Sequence, residues 1–452
     1  MKDHRTSLRI TVSGIRGKVP EGLNVSVASD FASSYGTYIE KGPVGVTTDG
    51  RWSGPMLAHA VISSLSACGL DVHYYGVSPT PYIQFLISNR VINAGISITG
   101  GHNPEDWNAL VLLNEKGAYI DSIEGNEVFN LYHSKDFKKV PWNRIGKIEA
   151  LAPDFKLYLN NLGKVVNVEK IRKAKFKIVT DSCNGAGSVL LKEFSEFFDL
   201  SHVAINETPG TRFPHEPEPC EQNAQQVIAI MKAISYDIGF LFNSDASRLS
   251  VVTENHRALS EEYTLPLVAL SFLKKETSPI ITTIATSRLI EYVGSRFSVP
   301  VIRTKVGQSS VVHTMEATGA QIGGEGSGSV SIRKFSPGYD AFLAMALILE
   351  LMAEEQKPIS EITRDFPSYH IKKLKFAMPM EKIYRLIHYL KEIYSEEEIN
   401  VIDGIRVERK QGWFNVRPST TEFLLRVIIE GTSEKETERL EAEIMEKIWS
   451  LS

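Results

Sequence analysis

Cysteine is nearly absent. The 452 residues hold only Cys68, Cys183 and Cys220, odd in number and far apart, which suits neither a disulfide framework nor a zinc site and predicts buried free thiols. Charge of one sign is missing as well. Fifty Lys and Arg face 54 Asp and Glu, a net charge of −4, so the chain carries no electrostatic footprint for nucleic acid or an anionic membrane. The longest purely apolar run, Ala341 to Leu349, falls far short of the ~20 residues that span a bilayer. The first seven residues, Met1 to Ser7, contain no apolar signal-peptide core, and no low-complexity tract interrupts the chain. These absences predict a cytoplasmic protein with neither a nucleic-acid nor a membrane partner.

What is present is average and ample. Hydrophobic residues make up 42% and charged residues 23%, the composition of a globular protein without long disorder. At roughly 100–200 residues per domain the length predicts about two to four domains. Val44–Thr47 reads as a buried strand, Met56–Cys68 as a helix, Val72–Tyr75 as a strand, Tyr82–Asn89 as a helix and Ala94–Thr99 as a strand. This alternation is the signature of a sheet flanked by helices. It restarts near Phe176 and again near Pro279, with a strand at Ile238–Phe242 and helices near Arg288–Ser295, Val311–Thr318 and Asp340–Ala353. The tail carries alternating strands around Asp403-Gly404 and Gly412-Trp413, a strand from Phe423 to Ile429, and a Ser433-x-x-Glu436 capping box before a charged helix. The prediction is three similar α/β domains, 1–150, 151–254 and 255–365, and a C-terminal α+β domain, 366–452, around a shared cleft.

Four loops after strand ends are candidates for chemistry. Thr99-Gly100-Gly101-His102-Asn103-Pro104 reads locally as a turn. Asn243-Ser244-Asp245-Ala246-Ser247-Arg248 places oxygen-bearing side chains at 243, 245 and 247, as a hard-cation loop requires, although one carboxylate among three also suits a solvated turn. In Gly323-Gly324-Glu325-Gly326-Ser327-Gly328-Ser329 the glycines allow close backbone approach and Glu325 offers an acceptor for sugar hydroxyls; a flexible loop is the alternative. Arg417-Pro418-Ser419-Thr420-Thr421-Glu422 combines a guanidinium with hydroxyls as a phosphate cradle does, or simply connects two strands. Gly185-Ala186-Gly187 approaches a dinucleotide fingerprint, but Leu190 stands at its third glycine position.

Taken in order with Ser13-Gly14-Ile15-Arg16-Gly17, Asp49-Gly50-Arg51, Pro79-Thr80-Pro81, Phe213-Pro214-His215, Thr304-Lys305-Val306-Gly307 and Asp403-Gly404, these loops resemble the α-D-phosphohexomutase family over essentially the whole chain. The N-terminal third, with Glu105-Asp106-Trp107-Asn108, is most similar to the phosphoglucosamine mutase branch. The resemblance implies three related mixed-sheet α/β domains and an α+β domain ringed around a deep cleft. It also implies transfer of a phosphoryl group between the 1- and 6-positions of a hexose. In that reaction a phosphoserine donates the group, Mg²⁺ assists, and a hexose 1,6-bisphosphate reorients midway.

The same resemblance marks departures. Gly101 stands at the phosphoserine position. Asn243, Asp245 and Ser247 stand where three metal-ligating aspartates are expected, so ligand charge falls from −3 to −1. Val111 and Ser329 stand at the two acid/base positions, and Thr420 and Phe423 replace a glycine and a proline of the phosphate loop. The other binding positions are kept: Arg16, His102, Asn103, Arg248, Glu325 and Ser327 for the sugar phosphate, and Arg417, Ser419 and Thr421 for phosphate, with the substituted Thr420 beside them in the same candidate phosphate loop. The expectation from this asymmetry is a pseudoenzyme that binds a hexose phosphate, with Mg²⁺ absent or weak, acting as a sensor, regulator or partner of another protein. The alternative is an active phosphohexose mutase without a protein phosphoserine, with hexose 1,6-bisphosphate supplying the phosphate and Ser97 and Thr99 as nearby hydroxyls. A purely structural role is a third reading, and oligomeric state is not readable from sequence.

Overall fold

The computed structural model describes residues 8–11, 14–419 and 424–450. Its first sheet orders seven strands as β1-β2-β6-β5-β3-β4-β7, comprising β1 (Arg9–Thr11), β2 (Gly14–Lys18), β3 (Val44–Thr48), β4 (Val72–Val77), β5 (Ala94–Ile98), β6 (Trp107–Leu113) and β7 (Ile148–Ala150). The second runs β11-β10-β8-β9 with β8 (Lys177–Asp181), β9 (Ser201–Ile205), β10 (Ile238–Phe242) and β11 (Leu249–Thr253). The third runs β13-β12-β14-β15 with β12 (Ile280–Thr283), β13 (Val301–Thr304), β14 (Ile322–Glu325) and β15 (Ser329–Ile332). The last is wholly antiparallel, β16-β20-β19-β18-β17, from β16 (His370–Ala377), β17 (Glu398–Asn400), β18 (Ile405–Arg409), β19 (Gly412–Pro418) and β20 (Leu424–Gly431).

The strand sequences account for these sheets. β3, β5, β10 and β12 are buried at every position and lack polar alternation, as strands covered by helices on both faces do. β16 alternates half-buried with exposed residues, the pattern of a one-faced antiparallel sheet. The first three sheets share a device. A central parallel strand (β5, β10, β14) turns straight back into an antiparallel neighbour (β6, β11, β15). The three candidate loops of the α/β units therefore connect antiparallel strands rather than leading from strand to helix.

The first three units are less separate than their sequences suggest. One continuous apolar core joins Tyr82 and Phe85 of the first unit, Phe155, Phe194 and Phe242 of the second, and Phe272, Phe335 and Phe342 of the third. Its centre is the helix Ala341–Glu355, buried all round through Met352. Asp340 caps that helix, accepting from the Phe342 and Leu343 amides at 2.9 and 3.0 Å. The fourth unit keeps its own core, built on Leu386, Phe414, Val427 and Ile444.

Helices begin about two residues before the first apolar position read from sequence, at Gly54 rather than Met56 and at Thr80 rather than Tyr82. Pro55 and Pro81 occupy the first turn, where a missing N–H costs nothing. Among the described residues no helix is long and apolar enough to cross a membrane. All three cysteines are free; Cys68 and Cys183 are buried and Cys220 is half-buried.

Candidate active site

The three α/β loops and the adjoining ends of β19 and β20 converge on one cleft, a cavity of about 190 Å³ to which all four units contribute. Arg16, Gly101, His102 and Val111 line it from the first unit, and Asn243, Asp245, Ser247 and Arg248 from the second. Glu325 and Ser327 come from the third, and Arg417 and Ser419 from the fourth. Two expected site residues lie behind its surface. Asn103 is buried and its Oδ1 accepts from Arg16 Nη1 at 3.2 Å, so it positions the arginine instead of meeting substrate. Ser329 is buried on β15 with its Oγ 3.0 Å from Ser327 Oγ. Thr420 and Thr421, with Ser13, Glu422 and Phe423, lie outside the described residues.

The first loop is built around a residue to which sequence reasoning gave no role. Arg51, buried with Asp49, donates Nε to Asp49 Oδ2 at 2.9 Å. Its terminal nitrogens reach the carbonyls of Gly101 at 3.0 Å, Asn103 at 2.8 Å, Pro104 at 2.5 Å and Trp107 at 3.0 Å. A Cβ at Gly100 would lie 2.5 Å from the Arg51 guanidinium carbon, so glycine is required there. Gly101 differs. It adopts φ +57°, and a Cβ would meet nothing within 4 Å, leaving open cleft where a serine side chain is expected. Thr99 Oγ1 donates to Asp49 Oδ2 and accepts from the Gly101 amide, both at 2.8 Å. Ser97 is buried against Thr80 Oγ1 at 2.7 Å, off the cleft. Ser244 Oγ lies 2.7 Å from the Gly101 carbonyl and 2.8 Å from Asp49 Oδ2, fastening the second loop to the first.

In the second loop the three candidate ligand side chains bond to one another. Asn243 Oδ1 accepts from the amides of Ser247 at 2.9 Å and Arg248 at 3.0 Å. That fixes the orientation of the amide, whose Nδ2 then donates to Asp245 Oδ1 at 2.8 Å and Ser247 Oγ at 3.1 Å. A donor thus occupies the space where a ligand oxygen is needed. Asp245 Oδ1 also accepts from Ser247 Oγ at 2.6 Å, and its Oδ2 accepts from Thr80 Oγ1 at 3.1 Å. The oxygen-bearing side chains at 243, 245 and 247, expected to present themselves to a cation, instead satisfy one another. Mg²⁺ requires near-octahedral oxygen donors, and these residues do not fit it. Among the described residues no other group of three His, Cys, Asp or Glu side chains supplies a metal site.

The third loop's glycines serve packing. Cβ atoms at Gly324 and Gly328 would meet the Ser329 and Leu249 carbonyls at 2.2 Å, and one at Gly326 would strike the Glu262 carboxylate. Glu325 accepts from Tyr339 Oη at 2.8 Å, and burial raises its carboxyl above the usual range. Burial holds His102 well below the ordinary histidine range, reinforced by the fields of Arg248, Arg16, Arg426 and Lys375. It therefore faces the cleft as a neutral imidazole, and those four cations make this end of the cleft attractive to anions.

The fourth unit reaches the others through a small apolar cluster of Ala285, Trp413 and Ile428 and through polar contacts. Arg9 Nη1 donates to the Ser419 carbonyl at 3.1 Å. Lys373 Nζ lies 2.6 Å from Glu261, 2.7 Å from Glu262 and 2.8 Å from the Gly326 carbonyl. None of these latch residues carried a local motif; only the alternation of β16 puts Lys373 and Lys375 on one face.

Burial pushes the Glu262 carboxyl up to about 7, opposed by Lys373 and assisted by Glu261. Because the folded value lies above the unfolded one, Glu262 adds most stability below pH ~4.5, and that contribution is lost as pH rises through about 7. Wild type is expected to lose up to about 3 kcal/mol relative to Glu262→Gln across that window. Parallel thermal melts at pH ~5 to ~8 check this; curves that stay parallel contradict it.

The architecture of the cleft has a counterpart in known proteins. Models described as phosphoglucomutase/phosphomannomutase alpha/beta/alpha domains I, II and III match residues 9–139, 156–256 and 260–369. The phosphoglucomutase/phosphomannomutase C-terminal domain matches residues 372–447. The chain belongs to the α-D-phosphohexomutase family. Within this family it falls in the phosphoglucosamine mutase branch. It is 32% identical to a protein of Pyrococcus horikoshii named "Probable phosphoglucosamine mutase", over 95% of each chain. It is 33% identical to the phosphoglucomutase/phosphomannomutase of Thermococcus kodakarensis, over 93% of this chain and 94% of that one.

Solved structures agree on the fold. A phosphoglucomutase/phosphomannomutase family protein from Burkholderia thailandensis superposes with TM-score 0.83 at 25% identity, covering 98% of both chains. An N-acetylphosphoglucosamine mutase from Aspergillus fumigatus, solved with GlcNAc-6P and magnesium, shares the fold at 12% identity and TM-score 0.61, covering 98% of this chain and 96% of that one. The mutase names carried by relatives along nearly the whole chain overturn the pseudoenzyme expectation. That expectation treated the family's lettered positions as the sole source of each chemical group, whereas the cleft holds hydroxyls and carboxylates at other positions.

Proposed function

We propose that this phosphohexomutase is an active enzyme that moves a phosphoryl group between the C1 and C6 oxygens of a hexose phosphate, with phosphoglucosamine as the substrate class. The carrying observation is one cleft that gathers arginines from three units. Arg16 comes from the first unit, Arg248 from the second and Arg417 from the fourth, and the third adds Glu325 and Ser327. Such a cleft holds a sugar with phosphate at either end. The chain-long similarity to phosphoglucosamine mutases supports the reaction and the sugar, and similarity to metabolic enzymes supports a cytoplasmic setting.

In this reading Arg417 and Ser419 bind the phosphate that is not reacting, through charge-assisted hydrogen bonds. Glu325 accepts from sugar hydroxyls and sets the ring's orientation. Arg16 and Arg248 carry the charge of the moving phosphoryl, the task positioned cations perform in phosphoryl transfer. The hexose 1,6-bisphosphate formed midway turns end for end, so that each phosphate in turn meets the reacting residues. Domain boundaries near residues 150, 255 and 365 leave each of the four loops in its own unit.

Phosphorus NMR tests the proposal. The purified chain with trace hexose 1,6-bisphosphate is expected to convert glucosamine 1-phosphate to its 6-phosphate faster than the glucose or mannose 1-phosphates. Resonances unchanged from a protein-free blank for all three sugars would refute it.

A further inference from the structure

The mutase reading leaves one need unmet, since Gly101 has no oxygen to carry the phosphoryl group. We infer that Ser247 is the residue phosphorylated in turnover, with Asp245 as its proton acceptor, and that the second loop is a nucleophile site instead of a metal site. This inference rests on the mutase reading and deepens it.

The alcohols lining the cleft differ in what they bond to. Thr283 and Ser327 pair with other hydroxyls, those of Thr286 and Ser329. Thr99 meets a carboxylate, but it is only 1% exposed and also accepts the Gly101 amide. Its partner Asp49 is neutralised by Arg51 and approached by Ser244 as well. Ser247 is 8% exposed and lines the cleft. Its Oγ donates to Asp245 Oδ1 at 2.6 Å, in the range of a charge-assisted bond, while Asn243 Nδ2 at 3.1 Å orients the same oxygen. A serine held between a carboxylate and an orienting group is the arrangement an activated nucleophile requires.

The backbone supports the assignment. Ala246, immediately before Ser247, is buried at φ +56°, a left-handed conformation costing a non-glycine residue roughly 1–2 kcal/mol. Contacts hold it there: the Ala341 amide donates to its carbonyl at 3.1 Å and its Cβ packs toward Gly187. Strain maintained by surrounding structure clusters at functional sites. The open space over Gly101 gives a phosphate group room beside this loop, since Ser244 already joins the two loops at 2.7 Å.

In the step, a bond forms between Ser247 Oγ and a phosphorus of hexose 1,6-bisphosphate as the bond from that phosphorus to its sugar oxygen breaks, leaving a hexose monophosphate. The hydroxyl proton passes to Asp245 Oδ1 and then to the departing sugar oxygen. Transfer from phospho-Ser247 to the other sugar oxygen reverses these events. Arg16 and Arg248 carry the phosphoryl charge.

The test incubates the full chain with glucose 1,6-bisphosphate in EDTA, follows intact mass and peptide fragments, and measures mutase turnover in the same samples. The expected result is one added phosphoryl group, mapped to Ser247. Ser247→Ala should lose the label and at least about 10³-fold of turnover, the scale of losing a nucleophile, while keeping its melting temperature and its affinity for glucose 6-phosphate. Mapping on the wild-type chain decides the matter even if the variant fails to fold. Turnover without covalent phosphate, label on Thr99 or another residue, or label that requires Mg²⁺ overturns this inference and leaves the mutase reading standing. Absence of both turnover and label overturns the two together.

Discussion

Replacing Arg51 by methionine is expected to cost about 3–5 kcal/mol of stability, the price of leaving a buried charge without its partner. The methionine keeps the side-chain volume but strands the Asp49 carboxylate, which is buried and bonded to Arg51 at 2.9 Å. It also releases four loop carbonyls, of Gly101, Asn103, Pro104 and Trp107, that Arg51 holds in place. Buried carbonyls that lose a charged donor pay a desolvation penalty of their own. Adding Asp49→Asn should recover part of the loss, because much of it comes from the uncompensated charge. Thermal and urea melts of wild type, the single variant and the double variant check this. An Arg51→Met chain melting with wild type would contradict it, and a double variant no better than the single would assign the cost to the loop carbonyls alone.

The second large effect is on substrate. Arg417→Ala is expected to weaken hexose phosphate binding about 10–150-fold, from the loss of charge-assisted hydrogen bonds worth about 1.5–3 kcal/mol. Arg417 lines the cleft from the fourth unit, with Nη1 donating to the Pro418 carbonyl at 3.2 Å. Its Nε has no hydrogen-bond partner among the described residues, which leaves that donor for a ligand. The first three units share a core to which Arg417 does not contribute, so stability should hold while affinity falls. Titration calorimetry with glucose 6-phosphate and glucosamine 6-phosphate measures it. Unchanged affinity would remove Arg417 from the phosphate site. Equal weakening toward glucose, which carries no phosphate, would show a general collapse of the cleft.

Much of this protein is legible in its sequence, and the reasons are local. Strands such as Ile238–Phe242, free of polar alternation and bounded by turn residues, announce themselves through hydrophobic pattern. The capping box at Ser433 marks the last helix, which runs Glu434–Ser450. The loops at residues 99–104, 243–248, 323–329 and 417–422 stand out by composition, and each of the four brings expected residues to the cleft. The family followed from their order along the chain.

Other features depend on what meets across long sequence separations. Arg51 became the organiser of the first loop because the fold brings Pro104 and Trp107 to it. Lys373 became a latch because β16 lies against Glu261 and Glu262, more than a hundred residues earlier. The direction of the Asn243 amide turned an apparent cation loop into a self-satisfied network, and that direction is set by two backbone amides that no spacing rule reveals. Sequence alone determined the elements, the four loops and the family, since each rests on interactions between near neighbours or on the order of motifs. Tertiary structure alone decided which side chains face the cleft, which of them satisfy one another, and which hydroxyl lies beside a carboxylate. Those outcomes depend on atoms approaching within about 3 Å, the range over which hydrogen bonds form.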